Sequence, residues 1–442
     1  MATIPSLALI PSGYKASKVY SVLPTDGTGD FDFTRSGNAT RLNSDGLIEL
    51  VSTNVPRLNY PLIDGVVQGC PSLLLEPQRT NSVPYSEDFT DASWFKRQIT
   101  ISPNEIISPN GTLNADKISD TSDNNMHGYN ETTSTTADTP YNASVFVKKG
   151  TIRYVALQQY YNTSNGSIAF FDLENGTLVY SQTLASSTIT FSIDNEKIES
   201  YGNGWYRISA TFTSSASMSL GIALANSRWS SGTSYNNYYI GNGDYLYSWG
   251  FQLEVGSYPT SYIKSNSGSA TTRSAETCNN AGDASTFNDS EGVLMAEISA
   301  LANDGTDREM TISDGTNNNR VVIGYNSSNQ IVAAVLSGGV QMLHTITTDI
   351  LLTKKIALKY KQNDFALWFN GFKVYTDLIG STFSESTLNQ ISFNRPDTDA
   401  SVYAKTKQIQ YFNTALNDTD LETLTSWDSF SDMATSQLYT IE

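Results

Sequence analysis

The sequence predicts an all-β protein. It reads as an extended N-terminal attachment segment, two antiparallel β-sandwich (jelly-roll) domains and one short helix near the C-terminus. Three observations predict this. Helical periodicity is nearly absent along the 442 residues. Short β-branched and aromatic runs alternate with clusters of Gly, Asn, Asp, Ser and Pro, the pattern of strands and turns. Asn-Gly pairs stand between matched apolar runs and mark hairpins, because both residues accept the positive φ of a type I′ turn.

Two such hairpins stand out. In FFDLENGTLVY, Phe170 to Leu173 faces Thr177 to Tyr180 about Asn175-Gly176. In FALWFNGFKVY, Phe365 to Phe369 faces Phe372 to Tyr375 about Asn370-Gly371. The helix is LNDTDLETLTSW. Asn417 can cap its free amides, Asp420 can reach back to the cap, and Leu421 and Leu424 supply an apolar stripe. No repeat of fixed period appears, which argues against solenoids and propellers.

Two composition shifts set the expected boundaries. Near Tyr85 a Pro-punctuated segment gives way to alternating strands. Residues 264–292 are small, polar and rich in Gly, Ser and Asn, the composition of a linker. The expected organisation is an attachment segment over 1–85, a jelly roll over 86–263, a linker over 264–292 and a second sandwich over 293–442. The first residues, apolar and Pro-punctuated, cannot make a core alone and are expected to dock on a neighbouring protein.

Acidic residues number 44 and basic residues 27, a net charge of −17. Phosphate backbones repel such a chain, which excludes a nucleic-acid binder. Charged residues are only 16%, so Ser, Thr and Asn must form much of the polar surface, and aromatics reach 11%, with 25 Tyr. No apolar run approaches the length of a membrane span. The start, MATIPSLALIPSGYK, lacks a charged n-region, so the expectation is a protein made in a cytoplasm without export. Cys70 and Cys278 form no zinc spacing and are expected as two isolated buried thiols, with a disulfide as the alternative.

Longer motifs carry a resemblance. Thr34-Arg35, Ala39 to Asn43 (ATRLN), Gly46 to Glu49 (GLIE), Leu73 to Asn81 (LLLEPQRTN) and Tyr85 to Phe89 (YSEDF) follow one another in order. Over roughly residues 14–97 the chain resembles the head-spike-fibre-like domain of bacteriophage virion proteins. The next unit, with NADKISD, YNASVFVKKG, GNGWYRISATFT and WGFQLEVGSYPTSYI, resembles jelly rolls similar to carbohydrate-binding modules. The last, with EGVLMAEIS, ALWFNGFKVY and IQYFNTALNDTDLETL, resembles laminin-G or concanavalin-A-like sandwiches. The resemblance implies a virion structural protein, a fibre, spike or decoration subunit located in the virion. Its expected partners are other virion proteins, its own copies in a trimer, and host-surface glycans.

Catalysis is not expected. Glu291 and Glu297 lie six residues apart on one strand, about 20 Å, too far for a paired-carboxylate glycosidase. His127 and His344 have no nucleophile elbow beside them. The alternatives are a tail-spike glycan depolymerase, or a decoration protein with only a stabilising role.

Glycan binding needs aromatic faces for sugar rings and amides or carboxylates for hydroxyls. In IRYVALQQYY, alternation puts Tyr154, Gln158 and Tyr160 on one face, with Val155 and Leu157 on the other. The bland reading is cross-strand Tyr packing. The segment SRWSSGTSYNNYYIGNGDYLYSW offers a second candidate, with Trp229, Tyr235, Tyr238 and Tyr239 among Asn and Ser, or else a contact between fibre subunits. Jelly rolls of the resembled kind often carry a structural calcium, and Glu87, Asp88 and Glu254 are the candidate ligands. No other cofactor is expected.

Overall fold

The structure is a computed structural model that describes residues 4–131, 135–162, 165–184, 189–225, 238–397, 400–429 and 432. The chain is almost wholly β, with a single α-helix, Asp418–Thr425, among the described residues. Asn417 caps it as expected: its Oδ1 accepts from the Asp420 amide at 3.0 Å, while Asp420 Oδ2 accepts from Asn417 Nδ2. Leu421 is buried beneath it against Val293, Met295, Ala357 and Trp368.

The first sandwich consists of two six-stranded antiparallel sheets. One runs, in spatial order, Trp94–Arg97, His127–Glu131, Ser219–Ala225, Tyr154–Asn162, Asn165–Asp172 and Thr177–Leu184. The other runs Ile99–Ile107, Leu113–Asp120, Tyr245–Val255, Tyr141–Lys149, Trp205–Ser214 and Phe191–Ser200. Alternate side chains of both sheets fill the core, Val155, Leu157, Phe171 and Ile222 from one, Val145, Ile208 and Phe251 from the other.

The second sandwich pairs a five-stranded sheet with one of eight strands. Its central strand is Ala404–Phe412, bonded along one edge to Glu291–Ala300. Along its other edge lie two strands of the N-terminal segment, Leu7–Leu9 and Ser72–Leu74. The side chains of Leu7 and Leu9 are fully buried in the core of this sandwich. The segment expected to reach a neighbouring protein thus completes a sheet of its own chain. The physical reason is the open edge of Ala404–Phe412, whose backbone groups need partners.

The stretch expected as a linker is also paired. Thr271–Arg273 joins Arg79–Asn81, and Thr277–Asn279 joins Phe31–Thr34. Side chains from the same stretch enter a buried lattice of ions. Arg57 donates to Glu276 Oε1 at 2.8 Å and to Glu76 Oε2 at 2.7 Å; Arg35 donates to Glu276 at 2.8 Å, and Arg273 forms an ion pair with Glu76 at 2.8 Å. Ser261, at the end of the first sandwich, donates to Glu76 through its amide and its hydroxyl. Burial alone would raise the Glu76 carboxyl. The charges of Arg273 and Arg57 and the Ser261 bonds outweigh that and hold it well below the usual carboxylate range. Motif residues Arg35, Glu76 and their partners therefore lock three parts of the chain together.

The two marked hairpins close differently. Phe369 pairs with Phe372 across Asn370 (φ 47°) and Gly371 (φ 87°), the two-residue turn expected. Asp172 pairs with Thr177, so four residues form the other turn. There the Asp172 carboxylate accepts from the Glu174 amide at 2.9 Å and stabilises the longer loop. Both cysteines are free thiols, but only Cys278 is buried as expected; Cys70 lies in the bend before Ser72–Leu74 and is exposed.

Candidate glycan-binding site

The strand Tyr154–Asn162 alternates as its sequence implies. Val155 and Leu157 enter the core, and Tyr154, Ala156 and Gln158 face outward. That outward face is not a wet platform. Cross-strand neighbours bring Phe170 and Ala223 beside Ala156, and Ile168 beside Gln158. Ala156, Ile168, Phe170, Ala223 and Ala225 form a second buried apolar cluster there. The Tyr154 ring stacks on Phe170, centroids 5.6 Å apart and planes 15° from parallel, and the Arg153 guanidinium lies 5.1 Å from its centre. Gln158 is buried, at the edge of a cleft of about 10 Å³ lined also by Arg97, Met126, Gly128 and Asn130, room for a single water. The backbone of Tyr160 pairs with Gly166 and Ser219. Tyr154 and Gln158 thus belong to a packing surface, because the strands on either side contribute apolar residues at the same register, and the Tyr160 side chain lies outside the described residues.

Trp229 and Tyr235 lie outside the described residues. Tyr238 is exposed. Tyr239 is an anchor: its strand Tyr239–Ile240 pairs with Asn124–Asn125, its ring lies 4.5 Å from that of His127, and its hydroxyl donates to Asp120 Oδ2 at 3.0 Å. Burial and the Asp120 charge push that phenol far above its ordinary value, so it stays a donor.

The three carboxylates expected around calcium are not gathered. No group of three acidic, His or Cys side chains that could hold a metal occurs among the described residues. Glu254 accepts from Gln252, from the Thr260 amide and from the Thr260 hydroxyl, each at 2.7 Å. Asp88 Oδ1 closes a turn by accepting from the amide and hydroxyl of Thr90. Glu87 accepts from the Tyr262 hydroxyl at 3.0 Å and pairs with Lys264 at 2.7 Å. Protein donors occupy these oxygens where a cation would need them free.

Glu87 instead lines a cavity of about 330 Å³. The hairpin of Ala39–Leu42 and Ile48–Val51 lies across the outer face of the second sheet. Ile48 packs there with Phe146, Trp205, Trp249 and Tyr262, and Thr40 Oγ1 donates to the Tyr262 carbonyl at 2.6 Å. The cavity opens between the two surfaces. Trp249 and Tyr262, ring centres 4.6 Å apart, form one wall with Glu87 and Lys264, while Thr40, Asn43, Leu47, Glu49 and Leu50 form the other. Its size falls in the range of small-molecule sites, and it sets aromatic surface beside carboxylate, ammonium, amide and hydroxyl groups.

Strand alternation could not find this cavity, because its walls come from segments far apart in sequence. A signal was nonetheless present. ATRLN, GLIE, YSEDF and WGFQLEVGSYPTSYI, the pieces that carry the family resemblance, supply most of the lining.

No family model and no curated protein sequence matches this chain. Among solved structures, 32% of it is similar to the NanB sialidase of Streptococcus pneumoniae, at 14% identity and a TM-score of 0.27, and the match spans 25% of that chain. The CBM40 module of the Ruminococcus gnavus IT-sialidase, bound to alpha2,3 sialyllactose, is matched over 32% of this chain and 86% of the module, at 14% identity and a TM-score of 0.29. Domain 4 of the arabinanase AbnA from Geobacillus stearothermophilus, in complex with arabinotriose, is matched over 34% of this chain and 73% of that domain, at 8% identity and a TM-score of 0.28. The chain thus spans about a quarter of the length of the whole sialidase, and these are partial likenesses in shape.

Proposed function

We propose that this protein is a non-catalytic glycan-binding subunit of a bacteriophage virion, and that its sugar site is the cavity between the Ala39–Val51 hairpin and the Trp249–Tyr262 wall. The observation that carries the binding reading is that cavity, where indole and phenol rings stand beside Glu87, Lys264, Asn43 and Thr40. Aromatic carbon surface suits the C–H faces of a sugar, and the polar groups can bond its hydroxyls. The virion reading rests on the sequence motifs of residues 14–97. A single site of this kind binds weakly, and many copies on one particle would supply avidity.

The test is to titrate purified protein with oligosaccharides released from host envelopes, by calorimetry. Leu47→Arg, which fills the cavity from a partly exposed position, and Lys264→Ala should abolish or weaken binding with the fold intact. Binding unchanged in both would place the site elsewhere, Tyr238 being the next residue to vary.

One observation favours the depolymerase as second reading: two carboxylates, Glu49 and Glu87, line the same cavity. Each faces a cation, Glu49 with Arg41 at 2.8 Å and Glu87 with Lys264. Polymer length before and after incubation separates the readings. Shortening that disappears in Glu87→Gln would establish the enzyme.

A further inference from the structure

Donors and acceptors around the cavity are unevenly matched, and the imbalance selects a class of sugar. Asn43 Oδ1 accepts from the Asp45 and Leu47 amides, each at 3.0 Å, which fixes the oxygen end of that side chain. Asn110 Oδ1 accepts from the Thr112 amide at 2.9 Å and from the Ser108 hydroxyl at 2.8 Å. Both residues line the cavity, and neither Nδ2 group donates to a protein acceptor among the described residues. The two turns are neighbours. The Ile48 amide donates to the Pro109 carbonyl at 3.0 Å, and a Cβ on Gly111 would lie 3.0 Å from Leu47 Cδ1. Lys264 adds a third donor, since its half-exposed ammonium carries three N–H groups and pairs with Glu87 alone.

Acceptors are mostly engaged. Glu87 Oε1 takes the Tyr262 hydroxyl and Oε2 takes Lys264. Glu49 Oε2 takes Arg41 Nε at 2.8 Å, which leaves Oε1. Thr40 gives its hydrogen to the Tyr262 carbonyl and keeps only lone pairs. The hairpin wall is otherwise apolar, with Leu47, Ile48 and Leu50, and Leu50 is 57% exposed and so open to a ligand.

A fitting group accepts bonds from amide donors, offers one donor in return and presents a small apolar surface. It is also uncharged, because each carboxylate already faces its own cation. A hydroxyl brings no apolar surface, and an ammonium brings charge and only donors. An acetamido group has a carbonyl, one N–H and a methyl. We propose that the cavity selects N-acetylated hexosamines, with the sugar ring on Trp249 and Tyr262. The acetamido carbonyl faces Asn43 and Asn110, its N–H faces Glu49 Oε1, and its methyl packs on Leu47 and Leu50. This rests on the cavity being the sugar site and adds the class of sugar. At about 330 Å³ the cavity is at the small end of ligand sites, which suits one sugar residue of a chain.

The full chain is titrated with the methyl glycosides of N-acetylglucosamine and N-acetylgalactosamine, and with those of glucosamine, galactosamine, glucose and galactose. At least one acetamido sugar should bind about tenfold or more tightly than its parent hexose and its free amine. In saturation-transfer NMR its acetamido methyl should receive the strongest signal. Leu50→Ser, at an exposed position, should reduce the advantage over the hexose and leave hexose binding unchanged. Asn43→Asp and Asn110→Asp, which keep the oxygen that holds each turn, should each weaken acetamido binding. No binding of either acetamido sugar, or equal binding of the parent hexose, would overturn this proposal and leave the cavity reading standing. Host oligosaccharide binding that ignores Leu47→Arg would remove both.

Discussion

Arg57 Nε donates to Glu276 Oε1 at 2.8 Å across 219 positions of chain, and neither side chain is exposed to solvent. This contact joins the N-terminal segment to the stretch that leads into the second sandwich. Glu276 also accepts from Arg35, and its Oε2 accepts from the Glu76 amide at 2.9 Å. Removing its carboxylate leaves two buried guanidinium groups short of a partner. Glu276→Ala should therefore cost about 3–5 kcal/mol of stability in urea unfolding. A loss below about 1 kcal/mol, the scale of a surface ion pair, would contradict the assignment.

Leu9 tests the docking of the N-terminal strand. It is fully buried in the core of the second sandwich. Leu9→Ala should lower stability by about 2–5 kcal/mol, and deleting residues 2–13 should destabilise the protein further. A truncated chain as stable as wild type would mean that Leu7–Leu9 is not part of the folded sheet.

Asp116 gives a pH dependence of defined sign. It is buried and accepts from the Phe89 and Asn104 amides at 3.2 and 3.0 Å. Burial outweighs these bonds and raises its carboxyl to about 6, from an ordinary 3.8. The folded state therefore keeps a proton that the unfolded state has already released. The stability this contributes is fully present below the ordinary value and is lost as pH rises to about 6, a change of about 2–3 kcal/mol. Urea unfolding over this window should show a less negative slope against pH in Asp116→Asn than in wild type. Parallel slopes would rule out the shift.

Gly371 tests the expected hairpin. Its φ is 87°, and an added Cβ would lie 2.8 Å from Ser426 Oγ. Gly371→Ala should cost about 1–2 kcal/mol in thermal or urea unfolding, from the left-handed backbone before any clash. A neutral substitution would show that the turn relaxes to another form.

The thiols differ by burial. Cys278 is fully buried and its thiol is pushed well above the ordinary value, first by desolvation and then by Glu276 and Asp32. A thiol reagent should modify one cysteine per native chain, Cys70, and two after unfolding. Rapid labelling of both in the native state would contradict the burial of Cys278.

What the sequence by itself determined is local. Strand alternation placed Val155 and Leu157 in a core, Asn370-Gly371 made the two-residue turn, and Asn417 capped the helix, because each depends on neighbours a few positions away. Tertiary structure decided the rest. Leu7 meets Tyr411 and Arg57 meets Glu276 between segments that no periodicity connects. Polar composition made residues 264–292 read as a linker, yet Arg273 and Glu276 are buried because arginines and glutamates from elsewhere neutralise them. Tyr154 and Gln158 had the alternation of a sugar platform, but Phe170, Ile168 and Ala223 on adjacent strands turned that face apolar. The cavity of Glu87, Trp249 and Tyr262 exists only once the Ala39–Val51 hairpin lies over the sheet, since a concave site is made by surfaces that long-range packing brings together.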